Sequence, residues 1–283
     1  MLQSLATTSC APTDSTLETE TWMTRLLLPA LSLCHRELIR FVRQRSRIIG
    51  ALATPIVFWV LIGAGMGRSF RSDAPGGGNF MEYFFPGTLI MILLFTAIFS
   101  TISIIEDRKE GFLQSVLVAP VSRMSIVLGK VLGGTLLATG QGLIFLLLAP
   151  LIGVKFNIGS FFAALGMMLI VSFALTGLGF CIAWRMNSTQ GFHTIMNLFL
   201  MPMWFLSGSL FPADGARGAM RWIMGLDPLS YGVSGLRRAL YPNAAYLTLP
   251  GWTTCLGASL VFAACMFLAA SFIARGRVAA DLQ

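Results

Sequence analysis

The stretch Phe156–Trp184, FNIGSFFAALGMMLIVSFALTGLGFCIAW, decides the fold class, because it carries no charged residue from end to end. A helix rising 1.5 Å per residue crosses ~30 Å of hydrocarbon in about 20 apolar residues. Five further uncharged runs of comparable length surround it: Ile48–Gly67, Tyr83–Ile105, Val131–Val154, Phe192–Pro212 and Leu247–Ala274. A soluble core helix seldom needs so long a stretch without charge. The sequence therefore predicts an all-α polytopic membrane protein with six transmembrane helices. The composition agrees, with 55% hydrophobic and 11% charged residues. Six spans use most of the 283 residues and leave no room for a separate catalytic domain.

The net charge of +8 invites a nucleic-acid partner, but its distribution argues for topology instead. Arg25, Arg36, Arg40, Arg43, Arg45 and Arg47 precede the first run. Arg108, Lys109, Arg123 and Lys130 follow the second, Arg185 follows the fourth, and Arg275 and Arg277 follow the sixth. These 13 basic residues fall on one side, and 7 fall on the other: Arg68, Arg71, Lys155, Arg217, Arg221, Arg237 and Arg238. Loops rich in Lys and Arg stay cytoplasmic. Both termini are therefore expected inside, and no nucleic acid is expected as a partner.

The five cysteines are odd in number and show no CxxC or Cys/His spacing, so neither a disulfide framework nor a zinc site is expected. Residues 1–22 are polar and rich in Ser and Thr, which predicts no signal peptide and a disordered extension covering about residues 1–24. The membrane domain is expected over 25–283.

Residues 30–47 read as an interfacial helix. Leu31, Cys34, Leu38, Phe41 and Val42 recur at three- and four-residue spacing, with Arg36, Arg40, Arg43 and Arg47 opposite. Such a helix lies in the headgroup layer, where it is either a plain anchor or something more. Pro55 is expected to kink the first span, and Pro75-Gly76-Gly77-Gly78 to form a flexible outer turn.

The segment Glu106–Lys130 is too polar to span and too apolar for a simple loop. Phe112, Leu113, Val116, Leu117 and Val121 fit one side of a short helix, which Pro120 stops near residue 119. Ser122 then caps the next helix. A short amphipathic helix facing the cytoplasm could lie on lipid or dock in a partner's groove. Gly129 and Gly133 form a GxxxG pair, which permits close helix approach. The outer segment Pro212–Pro250 is semi-apolar. Short helices are expected at Gly218–Gly225 and Leu229–Leu240, broken by Asp227-Pro228 and lying against or dipping into the membrane.

Two other function classes fare poorly. A membrane-embedded transferase or an ion-coupled secondary carrier needs ionisable groups at membrane depth, and the runs are essentially uncharged. His193 reads as interfacial and His35 as part of the basic helix. There is no HExxH, no GxSxG and no GxxxxGK[ST] motif, so catalytic and metal-ligating residues are not expected. Asn187-Ser188-Thr189 matches a glycosylation sequon but lies on the expected inner side.

Two ordered stretches carry a resemblance. The first is Asp107-Arg108-Lys109-Glu110-Gly111-Phe112-Leu113-Gln114-Ser115-Val116-Leu117-Val118-Ala119-Pro120-Val121-Ser122-Arg123, ending at Leu128-Gly129-Lys130. The second is Pro202-Met203-Trp204-Phe205-Leu206-Ser207-Gly208-Ser209-Leu210-Phe211-Pro212, then Arg221-Trp222, Asp227-Pro228-Leu229-Ser230-Tyr231 and Gly235-Leu236-Arg237. Together they resemble the type-2 permease subunits of ATP-binding-cassette (ABC) exporters, from about residue 25 onward.

The resemblance implies a coupling helix at Glu110–Ala119 that seats in an ATPase groove, with Glu110, Gly111, Phe112, Leu113, Val116, Leu117 and Pro120 as contacts. It makes 30–47 a connecting helix and Ala216–Leu240 outer re-entrant helices. Lys109, Phe112 and Gln114 stand where the family often has an acid, a Thr and an acid, which alters the docking contacts. The resemblance further implies two paired copies and two separate ATPase subunits that bind ATP and Mg. The path between the copies would be lined by the second and fifth spans, through Thr88, Met91, Phe95, Asn197, Met201 and Phe205. A plastic Met and Phe surface suits varied hydrophobic cargo. The implied setting is the bacterial inner membrane, and the implied activity is export of a drug, lipid or lipid-linked glycan without ATP hydrolysis by this chain.

Overall fold

The computed structural model describes residues 14–66, 80–154, 157–210, 218–241 and 250–276. Among them every regular element is helical: α1 (Asp14–Arg43), α2 (Arg45–Met66), α3 (Phe80–Lys109), α4 (Phe112–Val118), α5 (Arg123–Leu146), a 3-10 turn (Ala149–Ile152), α6 (Ile158–Ala183), α7 (Thr189–Leu206), α8 (Ala219–Leu226), α9 (Pro228–Leu240) and α10 (Trp252–Gly276). Helix α1 begins inside the segment read as a disordered extension, whose first 13 residues lie outside the described ones. The Pro75-Gly76-Gly77-Gly78 turn also lies outside them.

Among the described residues five helices are long and apolar enough to cross a membrane: Arg45–Gly65, Phe80–Lys109, Arg123–Leu151, Ile158–Ala183 and Trp252–Gly276. The protein is thus an all-α, multi-pass membrane protein. The sixth expected span, Phe192–Pro212, is shorter than its sequence suggested. Helix α7 ends at Leu206 and the chain turns at Gly208, where φ is +76°. Eighteen residues remain, including Thr189, Gln190, His193, Thr194 and Asn197.

Helix α3 is the axis of the bundle. Of its most apolar stretch 89% is buried, against 22% for α2 and for α10. It packs against α5, α6 and α2, and α10 covers α6 and α9. Phe84, Phe85, Leu89, Ile90, Leu93, Phe145, Met168 and Phe180 form the centre of one apolar core. Burying such side chains in lipid gains little from hydrophobicity, so close packing has to hold the helices together.

Local signals placed the short elements well. Gly111 adopts φ +75°, a left-handed turn that glycine takes without Cβ strain, and α4 starts directly after it. Ala119 is extended before Pro120, which ends α4. The Ser122 hydroxyl accepts from the Ser125 amide and caps α5. Asp227 caps α9 through the Leu229 amide, with Pro228 in the first turn.

Helix α1 departs from the expectation. Its inward face is Ala30, Leu33, Cys34, Glu37 and Phe41, packed on α5, while Leu31 and Val42 are exposed. The periodicity located an amphipathic helix but put its buried stripe slightly off, because Glu37 looked polar and Leu31 apolar. The GxxxG pair is the seat. A Cβ on Gly129 would lie 2.7 Å from the Ala30 carbonyl oxygen and 2.8 Å from the Leu33 Cβ, and one on Gly133 would lie 2.9 Å from the Glu37 Cβ.

Gly129→Val is therefore expected to push α1 off α5, because the obstructing carbonyl belongs to backbone. Overpacking of this kind costs about 1–3 kcal/mol. The measurement is maleimide labelling of Cys34, which is buried and whose thiol is held above its usual pKa by burial and by Glu37. Labelling should rise several-fold, whereas Gly140→Val, with nothing within 4 Å, should leave it unchanged. Unchanged labelling in both would refute this seat.

Candidate functional site

The last turn of α3 gathers a cluster of charged residues. Lys130 on α5 donates to Glu37 on α1 at 2.6 Å, to the Ser103 hydroxyl at 3.2 Å, and to Asp107 on α3. Asp107 is 0% exposed and Lys130 6%. Arg36 donates to both Asp107 oxygens, at 2.8 and 3.1 Å, and Arg40 donates to Asp107, Glu106 and Glu110. Arg47, at the start of α2, pairs with Glu106. The Arg36 guanidinium also lies 3.6 Å above the Phe112 ring of α4.

This cluster corrects the sequence reading in two ways. The basic stripe of 30–47 was expected to face headgroups. Instead Arg36, Arg40 and Arg47 turn onto the acids of α3, leaving Arg43 exposed. The apolar runs themselves hold no such charge, but just outside them Glu37, Asp107 and Lys130 are buried together, where solvated loop or interfacial charges were expected. Asp107 and Lys130 sit at the edges of apolar runs, where a charge reads as a loop residue, and Glu37 sits inside the amphipathic 30–47 stretch, where it reads as solvent-facing. The spacing Glu106 and Glu110 against Arg36 and Arg40 was the available signal, since each pair stands four residues apart on one face.

Helix α4 hangs from this cluster. Leu113 is 4% exposed and belongs to the core, so it anchors α4 and does not present itself outward. Val116 and Leu117, with Phe112, are half-buried; Gln114, Ser115 and Pro120 are exposed, and Val118 is 87% exposed. The outward face of α4 is therefore Gln114, Ser115 and Val118, displaced from the Leu113–Val116 face expected from spacing. Glu110 and Gly111 lead into it, with Glu110 tied to Arg40 at 3.1 Å.

The six residues expected to line a path separate into two groups. Thr88 and Met91 are in the bundle core, Thr88 donating to the Phe84 carbonyl at 3.1 Å. They do not reach the surface of this chain, because α3 is central. Phe95 and Met201 are half-buried, and Asn197 and Phe205 are exposed on α7. Helix α7 packs chiefly on α3 and α9 and leaves Ile195, Leu198 and Phe199 exposed as well.

The second quoted stretch assembles the opposite end. Trp204 donates from Nε1 to the Gly87 carbonyl at 2.9 Å, and Tyr83 donates to the Gly208 carbonyl at 3.2 Å. Arg237 reaches the Gly208 and Tyr83 carbonyls at 3.4 and 3.5 Å, with its guanidinium 4.3 Å over the Tyr83 ring. Tyr231 donates to the Gly225 carbonyl at 2.9 Å, folding α9 back on α8. Burial pushes the Asp227 carboxyl up to about 7, against the Leu229 amide and the Ser230 hydroxyl, which pull it down. Sequence reasoning quoted these residues as a pattern. Only their packing shows that they knot α3, α7 and α9 together.

Comparison with known proteins agrees with the geometry. The ABC-2 type transporter family model matches residues 30–241. The chain is 25% identical over 221 residues to a protein of Cyanophora paradoxa named as a transport permease, ycf38, covering 76% of this chain and 74% of that one. It is 26% identical over 195 residues to Nodulation protein J of Rhizobium leguminosarum bv. viciae, covering 68% and 74%. It is 28% identical over 184 residues to the linearmycin resistance permease protein LnrN of Bacillus subtilis, covering 65% of this chain and 46% of that one. The chain belongs to the ABC-2 type transporter family and is a membrane permease subunit of an ABC transporter, a transport component distinct from the ATPase.

Proposed function

We propose that the chain is the permease of an exporter that moves a hydrophobic or amphipathic substrate (a drug, lipid or lipid-linked glycan) out of the cytoplasm. Two copies pair, two ATPase subunits bind below, and both termini are cytoplasmic in a bacterial inner membrane. The observation that carries this reading is α4. It is a short helix with an outward face, anchored on α3 by the buried Leu113 and by Phe112 beneath the Arg36 guanidinium, beside the ion-pair cluster that joins α1, α2, α3 and α5. Such a helix delivers a push to the body instead of absorbing it. ATP binding and Mg belong to the partner, whose closure shifts the permease between two packings by contacting them differently.

Helix α7 supports the pairing and provides the sixth crossing. Asn197 lies on its exposed face between apolar neighbours. A carboxamide facing lipid is costly unless something polar meets it. A second copy or a hydrated path between copies meets that need, which keeps Asn197, Met201 and Phe205, with Phe95, as path residues. Thr88 and Met91 support that wall from behind. Leu198 and Phe199 join them as lining. Helices α8 and α9 form the outer re-entrant pair. The name of one relative, a linearmycin resistance permease, suits the drug among these cargoes.

The purified chain is expected to hydrolyse no ATP and to show turnover only when reconstituted with its ATPase subunit. ATP-dependent loss of a lipophilic dye from vesicles carrying the complex would show export of a hydrophobic cargo. Transport that persists without the ATPase would overturn the reading in favour of an ion-coupled carrier, and turnover by the purified chain alone would favour an enzyme.

A further inference from the structure

The last turn of α3 faces two ways. Glu106, Asp107 and Glu110 bind α1, α2 and α5. Arg108, between them in sequence, points to the other side and holds the link between α6 and α7. Its guanidinium donates to the Trp184 carbonyl at 2.6 Å, the Met186 carbonyl at 3.1 Å and the Asn187 side-chain oxygen at 3.1 Å. Its Cζ also lies 5.7 Å from the Trp184 ring centre. Trp184 is the C-terminal cap of α6, Ser188 is the N-terminal cap of α7, and Arg108 covers the stretch between them.

The chemistry suits a clamp. The final carbonyls of a helix have no partner within the helix and carry its negative end, so a planar cation binds them well. A guanidinium offers five donors in a fixed fork and can hold three acceptors at once. The alternatives that position the near end of α7 are apolar: burial of Phe192 and an edge contact of 5.5 Å between Phe99 and His193. Those contacts can slide, whereas the three hydrogen bonds fix a direction. At its far end α7 is held by the Trp204, Tyr83 and Arg237 contacts. Helix α7 is thus tied to α3 at its near end and to α3 and α9 at its far end, and the near tie at Arg108 sits three residues before Gly111, the N-terminal cap of α4.

We infer that Arg108 is the positioning residue that carries a displacement of α4 to the near end of α7, so that nucleotide closure at the ATPase moves the wall of the path. The inference rests on the coupling role of α4 given above and adds the route by which that role reaches α7. Arg108 acts in this route through the α6–α7 link that it holds. The ion cluster on the other side of α3 gives the turn its rigid seat, so that α3, α4 and the α6–α7 link shift together.

The test uses the complete complex in membranes, in cysteine-free backgrounds with one thiol each. Gln114→Cys reports on α4, and Leu198→Cys reports on α7, where Leu198 is exposed. Labelling by a water-soluble maleimide is compared with and without ATP and vanadate. In the otherwise native complex both thiols should change rate at least several-fold. With Arg108→Ala the Gln114→Cys thiol should still respond and the ATPase should still turn over, while the Leu198→Cys response should vanish. Arg108→Lys should restore part of it, because one ammonium replaces a three-way fork. It also serves if the alanine variant fails to insert, as does Asn187→Ala, which removes one acceptor.

A full Leu198→Cys response in Arg108→Ala would overturn the inference and leave the coupling role of α4 standing. Parallel loss of both responses in the variants would also overturn it, since that is general destabilisation and not a broken route. If neither thiol responds in the otherwise native complex, the coupling role of α4 fails first, and this inference fails with it.

Discussion

Asp107→Ala is expected to be the most destabilising single change in the charged cluster. The carboxylate is 0% exposed and accepts from Arg36, Arg40 and Lys130. Removing it leaves three cations converging on an empty space. Breaking a buried pair from one side costs about 3–5 kcal/mol, since the remaining charge keeps its desolvation penalty. Arg36 and Arg40 reach solvent in part, and Lys130 retains Glu37, so the lower half of that range is expected. Asp107→Asn keeps the shape and loses the charge, and should recover little. Glu110→Gln is the comparison, because the Glu110 side chain is 59% exposed and its pair with Arg40 is worth below about 1 kcal/mol. The measurement is unfolding of the purified permease in mixed micelles against denaturing detergent, with proteolysis near Gln44 as a local readout of α1 release. Equal stability of Asp107→Ala and Glu110→Gln would mean that the cluster is hydrated and that α1 is held by packing alone.

The second large effect belongs to α4. Val118 is 87% exposed, and Gln114 lies one turn before it on the same face. The rest of the chain leaves this valine, at the end of a seven-residue helix, almost unpacked. If it enters an apolar ATPase groove, Val118→Asp with Gln114→Asp puts two carboxylates there, and desolvating an unpaired charge costs several kcal/mol. Since ~1.4 kcal/mol is tenfold in an equilibrium constant, recovery of the ATPase in a pull-down should fall by about 100-fold or more. Membrane expression should hold, because the bundle is untouched. Leu113→Asp should behave differently. It buries a charge inside the chain's own core and should lower expression and ATPase recovery together. The contrast separates the presenting face from the anchoring one. Undiminished ATPase recovery with the Val118 and Gln114 double variant would mean that α4 rests on lipid and transmits nothing.

Glu37 shows why the site was harder to read than the fold. A glutamate inside an amphipathic stretch signals the solvent side, yet here it packs against Gly133 and meets Lys130. Its burial depends on a glycine and a lysine about ninety residues later, and no local rule connects them. Leu113 and Val118 make the same point on α4. Both are apolar, and seven residues fix a helix but not which side of it meets the rest of the chain. The Tyr83, Trp204 and Arg237 knot likewise joins three elements distant in sequence.

The sequence by itself determined the membrane class and most element boundaries, because these follow from local quantities. Uncharged length sets whether a helix can cross hydrocarbon. Ser122, Asp227, Gly111 and Pro120 set where helices start and stop through caps, turns and a missing amide. Two ordered motifs pointed to the family, which the family match bears out. The tertiary structure alone decided that α7 ends early at Leu206, that α3 is the axis with Thr88 and Met91 buried in the core, and that the basic stripe of α1 faces acids instead of headgroups. Those outcomes depend on which helices approach closely enough to exclude lipid and water. That approach is set by glycines and ion pairs acting between segments far apart in the chain.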